Sequence, residues 1–160
     1  GIKYFGKEKR DMRKEKEPVY LTSISLVRER EYDYNKTPLS DAEKAYGFIK
    51  PLAAGRDKEM FITVSLDSRL YPTAVDITAV GGVNACSVRP GDIFKPALLS
   101  NGVSVICFHN HPSGDPEPSK EDRTFTKVIK TAGDILGIKL TDHIIAGEDS
   151  FYSFAEEGEI

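Results

Sequence analysis

Several things are scarce in this chain of 160 residues, and each scarcity excludes something. It has only two cysteines, Cys86 and Cys107, too few for a disulfide framework, and no secretory hydrophobic segment. The expected setting is therefore reducing and cytoplasmic. No apolar run approaches the length that crosses a bilayer, which excludes a membrane helix and any expected membrane partner. Positive charge is not in excess either: the formal net charge is -3, which excludes a surface that tracks nucleic-acid backbone throughout, though not a local basic patch. What is present is a 39% hydrophobic content, enough for one domain with a proper core and too little length for two full-sized ones.

Histidine occurs three times, and two of the three form His109-Asn110-His111, followed after ten further residues, the first of them Pro112, by Asp122. Two neutral imidazoles and one carboxylate are ligand types that Zn²⁺ prefers, and three protein ligands leave a fourth tetrahedral position open for water. Val103 to Phe108 reads as a buried strand, and its two-residue period sends His109 and His111 to the same face. Pro112, Gly114, Pro116 and Pro118 then break the chain into a loop that can fold back. Ser119-x-x-Asp122 marks a helix start; taken alone it reads as a capping box, just as a lone strand histidine reads as a hydrogen-bonded core residue. The helix it opens should bury the stripe Phe125, Val128, Ile129, Ala132, Ile135 and Leu136. Asp122 lies at the edge of that stripe, where a carboxylate needs a partner, and a metal is one.

The string His109-x-His111-Pro112, six residues, then Ser119-x-x-Asp122 resembles the JAMM motif of the JAB/MPN metalloprotease superfamily. With Ser113-Gly114 and Pro118 it resembles the RadC family within it. Further pieces are Glu59-Met60-Phe61, Leu66-Asp67, Gly81-Gly82-Val83-Asn84, Val88-Arg89-Pro90 and Asp142-His143-Ile144-Ile145, so the likeness runs over about residues 40 to 154. It implies an α+β domain, a three-layer mixed β-sheet with flanking helices of the cytidine-deaminase-like JAB/MPN fold. It implies His109, His111 and Asp122 as Zn²⁺ ligands, Glu59 as general acid/base, and Ser119 as an oxyanion donor. The expected activity is hydrolysis of a peptide or isopeptide bond by metal-activated water, with a protein or peptide as substrate. The other reading is a metal-stabilised, non-enzymatic binding module with DNA-associated partners in repair or mobile-element biology. Longer RadC-family members carry an N-terminal helical module that the first fifty residues here do not resemble. A zinc nucleobase deaminase is disfavoured, because no His-x-Glu precedes a Pro-Cys-x-x-Cys.

Along the chain, residues 1–18 read as a charged, basic tail ended by Pro18, and residues 19–160 as the domain. Val19 to Arg30 reads as an edge strand with Tyr20, Ile24 and Leu26 on one side. Tyr32 to Pro38 is a loop, and Ser40-x-x-Glu43 opens a helix with Ala42, Ala45, Tyr46 and Ile49 as its apolar face, closed by Pro51 and Gly55. Glu59 to Leu66 alternates, with Glu59 on the more polar face, where by itself it reads as a surface glutamate. Leu70 to Val80 is its antiparallel partner, ended by Gly81-Gly82. A helix follows from Pro90 to Asn101-Gly102, then the histidine strand, in which Cys107 shares a face with His109 but reads as a small buried residue. Lys139 to Ala146 and a short strand about Phe151 to Phe154 complete the sheet. His143 is expected to be structural or to support a ligand.

Overall fold

A computed structural model describes residues 19–53, 55–82 and 88–160. The charged tail, Val83-Asn84 and Cys86 lie outside the described residues. The elements are α1 (Ala42–Ala53), β1 (Met60–Leu66), β2 (Pro72–Val80), α2 (Pro90–Leu99), β3 (Ser104–Asn110), α3 (Lys120–Leu136), β4 (Lys139–Ala146) and β5 (Phe151–Ser153). The strands form one sheet in the order β2-β1-β3-β4-β5, antiparallel except for the parallel β3–β4 pair. A parallel pair needs a long crossover, and α3 supplies it.

Every residue of β1 and β3 is buried, so both faces of the central sheet are covered and the expected three layers are present. Alternation sorts the side chains. Met60, Ile62, Val64, Leu66, Ile106, Phe108 and Ile144 pack with α1. Phe61, Val105, Cys107 and Leu140 pack with Ile93 and Phe94 of α2 and Phe125 and Ile129 of α3. Burying each such Ile or Phe contributes about 1.5–3 kcal/mol. The more polar face of β1 is therefore covered rather than solvated: Thr63 and Ser65 are fully buried beneath α2 and α3.

One irregularity decides which face β4 presents. Val105 pairs with Leu140 but Ile106 pairs with Asp142, so Thr141 is an extra residue, a bulge in a parallel pair. In a strand regular through Thr141, Leu140 and Asp142 would share a face. With the bulge, Leu140 faces α2 and α3, Asp142 and Ile144 face α1, and His143 returns to the α3 side opposite Cys107.

Three expectations need correction. Val19 to Arg30 forms no strand: it has no regular secondary structure and is exposed, with Val19 97% and Leu21 106% accessible. β-propensity cannot hold a strand that has no ladder partner, and the chain joins the fold only at Tyr32 and Tyr34, packed edge-on against Phe48. The first helix is capped one residue later than expected, by Asp41, whose Oδ1 accepts from the Lys44 backbone N–H at 2.9 Å; the Ser40 hydroxyl donates to Asp41. The third helix is turned relative to the expected stripe. Phe125, Thr126, Ile129 and Gly133 are buried, while Val128, Ile135 and Leu136 are exposed. Gly133 comes so close to β4 that a Cβ there would lie 2.5 Å from the Ile138 carbonyl oxygen, and Thr126 is drawn in by a polar partner described below.

Candidate metal centre

β3 ends at the rim of the sheet, and its alternation delivers His109 from inside the α2/α3 layer and His111 just beyond it. Asn110, between them, points to the α1 side, where its Oδ1 accepts from Met60 N–H (2.8 Å) and its amide donates to the Lys58 carbonyl (3.1 Å). That side chain ties the start of β1, and with it Glu59, to the histidine strand. The loop after His111 turns at Gly114, whose φ of +80° suits glycine. It rests on the β4–β5 turn, where the Glu148 N–H donates to the Gly114 carbonyl (3.2 Å); a Cβ on Gly147 would lie 2.7 Å from that same oxygen.

The Ser119–Asp122 pair is a complete capping box at the start of α3. The Asp122 N–H donates to Ser119 Oγ (3.1 Å), while the Ser119 N–H (2.8 Å) and hydroxyl (2.7 Å) both donate to Asp122 Oδ2. The cap and the candidate site are one arrangement. Holding Oδ2 in the box aims Oδ1 at the histidines, and it lies 3.2 Å from His109 Nε2.

His109, His111 and Asp122 thus converge as a group that could hold a metal ion, their ligand atoms all within 4.8 Å of one another. The two Nε2 atoms are 3.1 Å apart, and His111 Nε2 is 3.4 Å from Asp122 Oδ2. His111 Nδ1 faces the Asp115 carbonyl at 2.8 Å; a carbonyl only accepts, so Nδ1 carries the proton and Nε2 of the neutral ring has a lone pair. With their ring protons on Nδ1, the two imidazoles and the carboxylate could hold a cation between them, and the donor set fits a divalent metal. The same geometry shifts proton affinities. Hydrogen bonding to Asp122 raises the His111 pKa above its ordinary value against the effect of burial. Burial acts to raise Asp122, but hydrogen bonds from His109 and His111 outweigh it and hold the carboxyl well below the usual range.

The site opens into a cleft of about 540 Å³ lined by Glu59, Phe61, Ser119, Glu117 and Phe125 together with the three candidate ligands. Glu59 immediately precedes β1 and stands close enough for its charge to help raise His111. Cys107 is fully buried, and burial raises its thiol far above the usual range, so it is an inert core residue.

Two further side chains take part: His143, expected to be structural or to support a ligand, and Thr126, which the sequence pattern did not single out. His143 is fully buried, and burial first, then the neighbouring His109, pushes its pKa well below the ordinary value. Its Nε2 lies 2.8 Å from His109 Nδ1, and its Nδ1 lies 2.7 Å from Thr126 Oγ1. Thr126 stands one helical turn after Asp122 on the same face; that spacing was its only signal in the sequence.

A mixed sheet between helices, with a His-x-His strand end facing an aspartate at a helix start, defines a JAB-type domain. Residues 39–159 match the family model of the RadC-like JAB domain, and the chain belongs to the RadC family. Relatives include a UPF0758 protein of Carboxydothermus hydrogenoformans, 40% identical over 140 residues covering 86% of this chain and 62% of that protein. A UPF0758 protein of Shouchella clausii is 41% identical over 130 residues, 81% of this chain and 56% of that protein. One of Methanosarcina mazei is 39% identical over 123 residues, 77% and 54% respectively. The chain thus spans a little over half the length of these curated relatives. No helix among the described residues is long and apolar enough to cross a membrane.

Proposed function

We propose that this domain is a zinc-dependent hydrolase that cleaves a peptide or isopeptide bond. The observation that carries the reading is the convergence of His109 Nε2, His111 Nε2 and Asp122 Oδ1 at the floor of a cleft that Glu59 also lines. Two imidazole nitrogens and one carboxylate suit Zn²⁺, and three protein ligands leave a position free. When bound, such an ion polarises a carbonyl and lowers the pKa of a coordinated water to about 7.

The remaining steps belong to the chain. Glu59 takes the proton from the attacking water and returns it to the leaving nitrogen, which peptide hydrolysis requires because an amide anion does not leave unprotonated. Ser119 lines the cleft with its one hydroxyl proton directed to Asp122; we assign it as donor to the developing oxyanion, a role in which the hydroxyl turns away from Asp122. Among the described residues lining the cleft are Glu59, Asp115, Glu117, Glu121 and Asp122 but no lysine or arginine, so a phosphate backbone is repelled rather than drawn in. A polypeptide suits this cleft better than a nucleic acid.

The full engagement of Ser119 and Asp122 in a capping box favours a second reading, a metal-stabilised binding module. The two separate on Glu59→Gln. Zinc-loaded wild type and variant would be assayed on quenched peptide and isopeptide-linked substrates. Cleavage by the wild type that is lost in the variant supports the hydrolase; cleavage that survives in the variant, or in the metal-stripped protein, sinks it.

A further inference from the structure

We propose that Thr126 and His143 are positioning residues that lock His109 in the tautomer able to bind a metal, through a hydrogen-bonded chain that begins and ends at Asp122. The inference rests on the metal-binding reading above, but its first observable is a property of the metal-free protein.

The chain of donors follows from chemistry. Thr126 Oγ1 is 2.7 Å from the Asp122 backbone carbonyl and 2.7 Å from His143 Nδ1. A hydroxyl has one proton to give and a carbonyl can only accept, so we assign the hydroxyl proton to the carbonyl. Thr126 Oγ1 must then accept from His143, which places the His143 proton on Nδ1. The ring is neutral in its buried position, so its Nε2 bears a lone pair, 2.8 Å from His109 Nδ1. His109 therefore donates from Nδ1, and its own lone pair stands on Nε2, 3.2 Å from Asp122 Oδ1. The links are coupled: were the Thr126 proton given to His143 instead, the His109 proton would move to Nε2 and point at Asp122 Oδ1, so the chain has two settings and the metal-ready one is the setting proposed.

The device opposes the ring's own preference. An unconstrained neutral histidine side chain favours the proton on Nε2, the atom that must be bare here. His111 is corrected by one carbonyl, that of Asp115. For His109 no carbonyl does the same work; the acceptor is another imidazole, which helps only while its own proton is held on the far side. Thr126 holds it there. Packing fixes the ring planes: Phe154 stacks on His143 at 5.1 Å with 10° between planes, and Phe61 stacks on His109 at 6.3 Å and 10°. Because Asp122 and Thr126 are one turn apart on α3, the same helix supplies a ligand and the end of the chain that prepares another. The bulge at Thr141 completes the arrangement by turning His143 to this face.

The test compares Thr126→Val with Thr126→Ser. The chain has only three histidines, so a long-range ¹H–¹⁵N correlation spectrum of the metal-free protein, taken on the alkaline side of imidazole titration, reads each tautomer directly. Zinc affinity is then measured by competition with a chromophoric chelator. In the wild type His109 and His143 should both be protonated on Nδ1. Thr126→Val should release both tautomers and weaken zinc binding by about 10- to 100-fold, the usual cost of losing a ligand's supporting partner. Thr126→Ser should restore both. A purely structural threonine would move the melting temperature and leave the tautomers alone. Wild-type tautomers and affinity in Thr126→Val would overturn the proposal, as would a Thr126→Ser variant no better than valine. If the wild type itself binds no zinc, the metal reading fails, and the tautomers of the metal-free variants still decide for or against the chain.

Discussion

The two faces of the central sheet are built from the same strands and do opposite things. Toward α1 the sheet is mainly apolar, from Met60, Ile62 and Val64 through Ile106 and Phe108 to Ile144, with Asn110 and Asp142 among its few buried polar residues. Toward α2 and α3, Phe61 and Val105 alternate with Thr63, Cys107, His109 and His143 in the interior. Because a strand's side chains alternate, each chemical residue has an apolar neighbour whose packing fixes the backbone beneath it. One face holds the fold rigid, and that rigidity is what lets the other keep polar atoms at hydrogen-bond distances.

If the faces are separable in this way, substitutions should fall into two kinds. The largest effect is expected for His111→Ala, which removes a ligand without touching the core. Elemental analysis should find about one zinc per chain in the wild type and none in the variant, with the metal-free melting temperature little changed. Retained zinc would break the assignment of the chemical face. Next, Glu59→Gln should keep the metal and lose about 10²- to 10⁴-fold in peptide-bond cleavage, the contribution typical of a general base. Third, Ile62→Ala on the opposite face should lower stability by about 2–5 kcal/mol in denaturant titration while leaving zinc affinity unchanged below the transition. Zinc loss in proportion to the stability loss would show that the faces are not independent.

The smallest effect sharpens the comparison at its edge. Asp142, on the α1 side, accepts from the His143 N–H (2.7 Å), the Ala155 N–H (3.0 Å) and the Ser153 hydroxyl (2.6 Å), so it secures the C-terminal turn. Asp142→Ala should cost about 1–3 kcal/mol through donors left unsatisfied. Asp142→Asn keeps an acceptor and should cost less. Burial raises the Asp142 pKa despite those hydrogen bonds, so the folded protein binds this proton more tightly than the unfolded chain. Its contribution to stability is then fully present below the ordinary carboxylate pKa of about 4 and falls as pH rises through the raised folded value. Melting curves across that window should slope less in Asp142→Asn than in the wild type.

How much of this the sequence showed depends on how local each signal was. The α3 capping box, the Gly81-Gly82 turn, with φ of +77° and +51°, and the alternation of β1 were readable because each is set by residues within a few positions of one another. The convergence of His109, His111 and Asp122 as a candidate group was readable because a strand end and a helix start are joined by one short loop. The strand expected at Val19 to Arg30 failed because composition reports propensity and not the presence of a partner. The turn of α3 was missed for a related reason. Thr126 is buried by His143, seventeen residues away, and an apolar stripe weighs hydrophobicity without knowing what a helix will meet.

The bulge at Thr141 carries a consequence for how such domains tolerate inserted and deleted codons. In a flat ladder, dropping one residue exchanges the two sides of everything downstream. Deleting Thr141 would not do so, because the residue lost is the extra one: Leu140 and Asp142 would become neighbours in an unbroken ladder, on the opposite faces they already occupy, and His143 would stay on the α3 side. A second loss in the same stretch has no spare residue to absorb it; it would carry His143 to the aliphatic side and bring Ile144 toward His109, equivalent to several replacements at once. β4 thus carries one spare residue, and beyond that its length matters to the candidate site as much as the identity of the histidines.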